Sequence, residues 1–165
     1  MTTTLITFNS SRWVEAAEDV LELMLKHESI GARLRQKGRT GGFLCVTELS
    51  GGLLLLAPIG AFRLDMTEAY RHFCQEKATR LASHQDHVLS RQSADEALER
   101  YPGAVRGSNY ITSFSGLPGL DDELLSAATQ RRNRGLTHKK LDELFGQHPN
   151  PAFSSLSEDD RVRIF

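Results

Sequence analysis

Apolar positions along the chain change their spacing several times, and each change marks an element. Trp13, Ala16, Ala17, Val20, Leu21, Met24 and Leu25 recur at helical spacing. They predict an amphipathic helix over residues 12–27, capped by Asn9, Ser10 or Ser11. Residues 5–8 before it read as either a short strand or a lead-in. Residues 30–40 carry Arg33, Arg35, Lys37 and Arg39 and end in Gly41-Gly42, the pattern of a linker or a fraying helix. Residues 43–49 are rich in β-formers, Ser50-Gly51-Gly52 is a permissive turn, and residues 53–57 form a second apolar run stopped by Pro58 and Gly60. Two such runs around a glycine-rich turn predict a hairpin. The second run does not alternate, which predicts burial on both faces.

Helical spacing returns after Thr67, a candidate cap. Tyr70, Phe73, Cys74, Lys77, Ala78, Leu81 and Ala82 then share one face, with Lys77 the single charge in the stripe. Ser93-Ala94-Asp95-Glu96 has the form of a capping box opening a short helix that ends before Tyr101-Pro102-Gly103. Residues 109–114 read as a third strand, 115–120 as a loop, and Asp121 or Asp122 as the cap of a helix with Leu124, Leu125 and Ala128 on one face. Gly135 fits its stop. Beyond it, Thr137 caps a short helix containing Leu141, Leu144 and Phe145. His148-Pro149-Asn150-Pro151 breaks the chain, and Ser157 caps a last turn with Val162, Ile164 and Phe165. The order is helix, hairpin, helix, strand, helix. A hairpin implies antiparallel pairing, and helices must cover the sheet. The fold class is therefore α+β: a profilin-like or PAS-like antiparallel sheet flanked by helices over residues 1–136. Residues 137–165 form a helical tail that docks on the domain or on a neighbouring subunit.

A length of 165 residues fits one domain with its own core. The formal net charge of -1 provides no global positive field, so no nucleic-acid partner is expected. Two cysteines, Cys45 and Cys74, are too few for a disulfide framework and point to a reducing compartment. The N-terminus lacks the basic and apolar regions of a signal peptide, and the longest apolar run, residues 53–59, is too short to span a bilayer. A cytoplasmic protein without membrane association is the expectation.

The most distinctive stretch is residues 111–123, where a strand passes through a loop with Gly116 and Gly119 into a helix start. Such a start favours an anion or carboxylate; alternatively the glycines serve the turn and the acids cap the helix. Ser115 lacks the Gly-x-Ser-x-Gly elbow, and no catalytic constellation can be assigned. His72, His84 and His87 lie on or just past one helix, and His84 and His87 could share a face. They are either metal or haem-iron ligands, with His84 the candidate, or solvated residues of a polar helix end. His27, His138 and His148 are isolated in the sequence. Lys77 either holds a ligand carboxylate or lets its head reach water while its stem covers the core. The basic runs 33–39 and 131–134 lack interleaved aromatics and read as solvated faces.

Gly51-Gly52-Leu53-Leu54 after a strand, Glu76-Lys77-Ala78-Thr79 on a helix, and Ser115-Gly116-Leu117-Pro118 followed by Asp121-Asp122-Glu123 together resemble the GlcG-like family. That family includes the HbpS-like haem-binding proteins and the C-terminal domains of PduO-type proteins, and is often termed a haem-degrading domain. The resemblance covers about residues 12–134. It implies a profilin-like fold, homo-oligomers, and a small-molecule ligand, haem or a related anionic cofactor in some members. Lys77, Ser115, Gly116 and Asp122 match its recurrent positions and are the implied ligand-binding residues; His84, read from its place at the helix end, is the candidate iron ligand beside them. The family's Asp-x-x-Gly-His-Leu turn reads Glu48-Leu49-Ser50-Gly51-Gly52-Leu53 here, without the histidine. Its Arg-Met-Asp-Gly segment is replaced by residues 58–65. The second function class compatible with the sequence is a non-catalytic assembly protein without a ligand.

Overall fold

A computed structural model describes residues 7–165. Leu5 and Ile6, half of the expected lead-in, lie outside the described residues. Helix α1 (Ser10–Lys26) buries the expected stripe, and Asn9 caps it by accepting from the Arg12 amide. The segment expected as a linker or a fraying helix forms a second helix, α2 (Glu28–Gln36). Its cap is His27, whose Nδ1 accepts from the Ile30 amide at 3.3 Å. Ile30, Gly31 and Leu34 anchor its inner face.

The hairpin forms from β1 (Thr40–Glu48) and β2 (Leu53–Ala61), paired antiparallel with a bulge at Val46/Thr47. Gly41-Gly42 belongs to β1, and β2 runs through Pro58 and Gly60. The expectation of burial on both faces of β2 is corrected: most of the strand is half-buried or exposed. It is the sheet's edge in the order β2-β1-β4-β3. An edge position explains how Pro58 is accommodated, because its missing N–H faces the open side. That phase follows from Phe114, whose amide turns to Gly103 and away from β1, which fixes the alternation across the ladder.

Helix α3 (Thr67–Ser83) follows a 3-10 turn at Leu64–Met66. Thr67 is its first residue rather than its cap, since its hydroxyl donates back to the Leu64 carbonyl at 2.7 Å. The expected capping box is also corrected. Residues Ser90–Ser93 and Glu96–Leu98 are separate 3-10 turns, and Asp95 accepts from the Ala97 amide. Strand β3 (Ala104–Arg106) was too short to leave a sequence pattern; β4 (Tyr110–Ser115) stands one residue from its expected position. Helix α4 (Gly119–Arg132) is buried on all sides over residues 121–130 rather than on one face. It ends at Arg132; two residues on, Arg134 has a positive φ and the Gly135 amide bonds back to the Gln130 carbonyl.

The sheet separates two cores. One lies under α1, α2 and α4 and includes Trp13, Met24, Phe114 and Leu124. The other lies under α3 and includes Phe43, Cys74, Leu81 and Ile111. The C-terminal helices α5 (His138–Gln147), α6 (Pro151–Ser154) and α7 (Glu158–Ile164) add Leu141, Phe145, Phe153 and Ile164 to the first core. Thr137, Asn150 and Ser157 cap them in turn. Polar contacts also hold this segment. Arg91 donates to the carbonyls of His148 and Pro149 and to Glu123, Asn150 donates to Glu123 and to the Leu120 carbonyl, and Arg132 donates to the carbonyls of Arg163 and Ile164. No helix among the described residues is long and apolar enough to cross a membrane.

Candidate functional site

Helices α3 and α4 meet at the C-terminal end of β4, and a buried ion pair joins them. Lys77 Nζ donates to Asp122 Oδ2 at 2.8 Å and to the Phe114 carbonyl at 2.9 Å. Both residues are 2% exposed, so the lysine head does not reach bulk water. Asp122 Oδ1 accepts from the Leu117 amide at 2.8 Å. Burial pushes the Asp122 carboxyl up to about 6, against the opposing pull of the Lys77 ammonium, the Leu117 amide and Arg39. Gly103 makes room for the lysine head. At its φ of +138° a Cβ would stand 2.9 Å from Nζ and 2.8 Å from the Phe114 carbonyl oxygen.

Asp121 and Asp122 are therefore not helix caps; Pro118 occupies the cap position. Three successive acids fan out from the first turns of α4 to cations on three other segments: Asp121 to Arg33 of α2, Asp122 to Lys77 of α3, and Glu123 to Arg91. All three are almost completely buried, and burial raises the carboxyl of each. The basic run 33–39 is solvated at Arg35 and Lys37, as expected, but Arg33 and Arg39 turn inward to partners on other segments. Arg33 pairs with Asp121, Arg35 donates to the Leu25 carbonyl, and Arg39 donates to the carbonyls of Gly116 and Leu117.

A cavity of about 300 Å³ opens beside the Lys77–Asp122 pair. Lys77, Asp122 and Ser115 form its floor; Tyr70, Phe73 and Tyr101 form an aromatic wall, with Met66 and Leu117 beside it. Arg39 closes one side, its guanidinium 5.6 Å from the Tyr70 ring centroid. Phe73 and Tyr101 meet edge to face at 5.2 Å. Arg80 fixes the Tyr101 backbone by donating to its carbonyl at 2.7 Å. Several polar groups here make no hydrogen bond among the described residues: the hydroxyls of Ser115, Tyr70 and Tyr101, and Nη1 of Arg39. Ser115 is only 5% exposed.

Gly116 serves the backbone rather than the wall. It has a φ of +146°, and a Cβ there would collide with the Gly41 carbonyl and Gly42 Cα. A Cβ on Gly42 would in turn collide with the Ser115 carbonyl. Two glycine-containing segments thus cross at contact distance and bring Ser115 and Arg39 to the same cavity.

Lys77, Ser115 and Asp122 come together, but His84 does not join them. It ends α3, two turns beyond Lys77; its Nδ1 bonds to the Arg80 carbonyl at 2.8 Å, and its ring stacks on His87 at 4.8 Å. It faces a separate open groove of about 600 Å³ with His72, Glu76, Arg80 and Arg100, lined by polar side chains throughout. No group of three or more metal-ligating side chains occurs among the described residues. Haem iron takes a His, Met, Cys or Tyr side chain as axial ligand. His84 and Lys77, expected as iron ligand and propionate partner, open on different cavities and do not line one haem site.

Arg39, Tyr70 and Tyr101 were not singled out from the sequence as site residues. Arg39 stood in a basic run, Tyr70 in a core stripe, and Tyr101 before a Pro-Gly turn. Cys74 faces the second core, where its Sγ donates to the Phe43 carbonyl at 3.1 Å and burial raises its thiol well above the usual range.

No family model and no curated protein matches the chain. A crystal structure of Klebsiella pneumoniae protein ORFY, described under DUF336, is similar over 83% of this chain and 99% of that one. It is 11% identical, with a TM-score of 0.42, a likeness too distant to assign a family or a function.

Proposed function

We propose that this chain is a GlcG-like small-molecule-binding protein whose ligand occupies the cavity above Lys77 and Asp122. One observation carries this reading: Lys77, Ser115 and Asp122, from three separate elements, converge on one cavity whose remaining polar groups face its open space rather than a protein partner. A cavity with apolar walls and a few convergent polar groups is the default ligand site. The order of the motifs around Gly51-Gly52, Glu76-Lys77 and Ser115-Gly116 supports the family resemblance. Binding suits the geometry better than acyl transfer, because Ser115 Oγ bonds to no imidazole or carboxylate among the described residues.

The test is a thermal-shift screen of small metabolites on the wild-type protein and on Ser115→Met, which plugs the floor. Ligands that raise the Tm of the wild type are expected to lose their effect on the variant, whose circular dichroism remains native. Ligands acting equally on both proteins would place the site elsewhere. A screen without any ligand would favour a ligand-free assembly protein.

A further inference from the structure

We infer that the cavity is built for a small monocarboxylate: one carboxylate on a compact, ring-sized apolar body. This rests on the cavity being the ligand site and adds the chemical class of the ligand.

The hydrogen-bonding inventory of the floor is one-sided. Both oxygens of Asp122 are engaged, one by Lys77 and one by the Leu117 amide. Lys77 has three ammonium hydrogens and two named acceptors, Asp122 and the Phe114 carbonyl. Arg39 gives Nε and Nη2 to the Gly116 and Leu117 carbonyls, which leaves Nη1 over. The Ser115 hydroxyl is a further donor. The unspent charged hydrogens belong to Lys77 and Arg39, whereas each Asp122 oxygen already holds one hydrogen bond and the hydroxyls can turn either way. A group that only accepts, as an ionised carboxylate does, can take all the spare donors at once; an amine cannot.

Charge leads to the same class. Lys77 and Asp122 neutralise each other, and Arg39 has no carboxylate partner among the described residues. One bound negative charge balances the site, and charge-assisted bonds to a guanidinium and an ammonium are the stronger kind. A dianion would leave one charge uncompensated in a confined space.

The rest of the cavity sets the body. Phe73, Tyr101, Met66 and Leu117 supply apolar contact, with the two rings meeting edge to face. A volume of about 300 Å³ lies at the low end of ligand pockets. It corresponds to roughly ten waters at about 30 Å³ each, the scale of a single substituted ring. A macrocycle with two propionates exceeds both the space and the charge.

Isothermal titration of the full chain at neutral pH with benzoate, its neutral isostere benzamide, and phenyl phosphate tests the proposal. Benzoate is expected to bind at least tenfold more tightly than either of the others. Arg39→Gln is expected to weaken benzoate at least tenfold and to remove its advantage over benzamide. Because Arg39 also holds the Gly116 segment, Arg39→Lys is measured alongside: it keeps the charge and should retain part of the discrimination. Benzamide binding as well as benzoate, with both lost in Ser115→Met, would overturn the carboxylate class while leaving the cavity as the ligand site. Tighter binding of phenyl phosphate would overturn it in favour of phosphate esters. Absence of binding by all three probes, or a stoichiometric haemin Soret shift, would overturn it as well.

Discussion

Replacing Lys77 by methionine preserves the stem and removes the ammonium. Lys77 and Asp122 are each 2% exposed, and breaking a buried pair from one side costs about 3–5 kcal/mol because a charge is left uncompensated. Asp122 can relieve that cost by taking up a proton. Its carboxyl already stands at about 6, since burial outweighs the attraction of Lys77, and without the ammonium it rises further. A carboxyl raised in the folded state binds its proton more tightly there than in the unfolded chain, where its pKa is near 3.8. Stability therefore falls as pH rises between the two values, and the penalty is complete above the folded pKa. In the wild type that displacement amounts to about 3 kcal/mol, at about 1.4 kcal/mol per unit. In Lys77→Met the window extends upward. The variant should lose about 3–5 kcal/mol at pH 8 and only about 1 kcal/mol at pH 5, where Asp122 is protonated. Urea denaturation of both proteins at pH 5, 6.5 and 8 measures this directly. Asp121 and Glu123, whose carboxyls are also raised, keep their partners in both proteins and largely cancel in the difference. A loss below about 1 kcal/mol at pH 8, or one independent of pH, would refute the electrostatic account of this pair.

Two further outcomes test the surroundings of the site. Gly116→Ala combines an unfavourable φ with a collision against Gly41 and Gly42; it should cost about 3 kcal/mol or more in chemical denaturation, and a value within about 1 kcal/mol of wild type would contradict the close-contact role. Asn150→Ala removes the cap of the short helix Pro151–Ser154 and a bond to Glu123. It should cost about 2 kcal/mol and expose the chain around residues 148–151 to limited proteolysis, whereas an unchanged cleavage pattern would argue against this anchor.

Periodicity was most informative where an element has one wet and one dry face. Helix α1 and the hairpin follow directly from their apolar spacing. It failed where burial is complete or the partner is distant in sequence. Helix α4 is dry all round, so its acids looked like surface caps, although each one meets a cation 32 to 88 residues away or, for Lys77, 45 away. Helix α2 was masked by its arginines, because backbone carbonyls and Asp121 that receive them are contributed by other segments. The candidate site divides in the same way. Lys77, Ser115 and Asp122 lie in motifs with local form, whereas Arg39 and Tyr101 gain meaning only when the glycine crossing and Arg80 bring their segments together. Spacing alone also grouped His84 with Lys77 on one helix, but two helical turns separate distinct depressions.

The open edge of the sheet has a consequence for how safely the chain is made. Strand β2 contains no charged residue over its nine positions, and an uncharged, leucine-rich edge is a template for other chains before folding is complete. The bulge at Leu54, which is skipped between Val46↔Leu55 and Thr47↔Leu53, disturbs one end of that template, and Pro58 withholds a donor near the other. A foreign strand approaching from solvent meets an interrupted ladder at both ends, so resistance to aggregation is written into the backbone of β2 rather than into its side-chain charge.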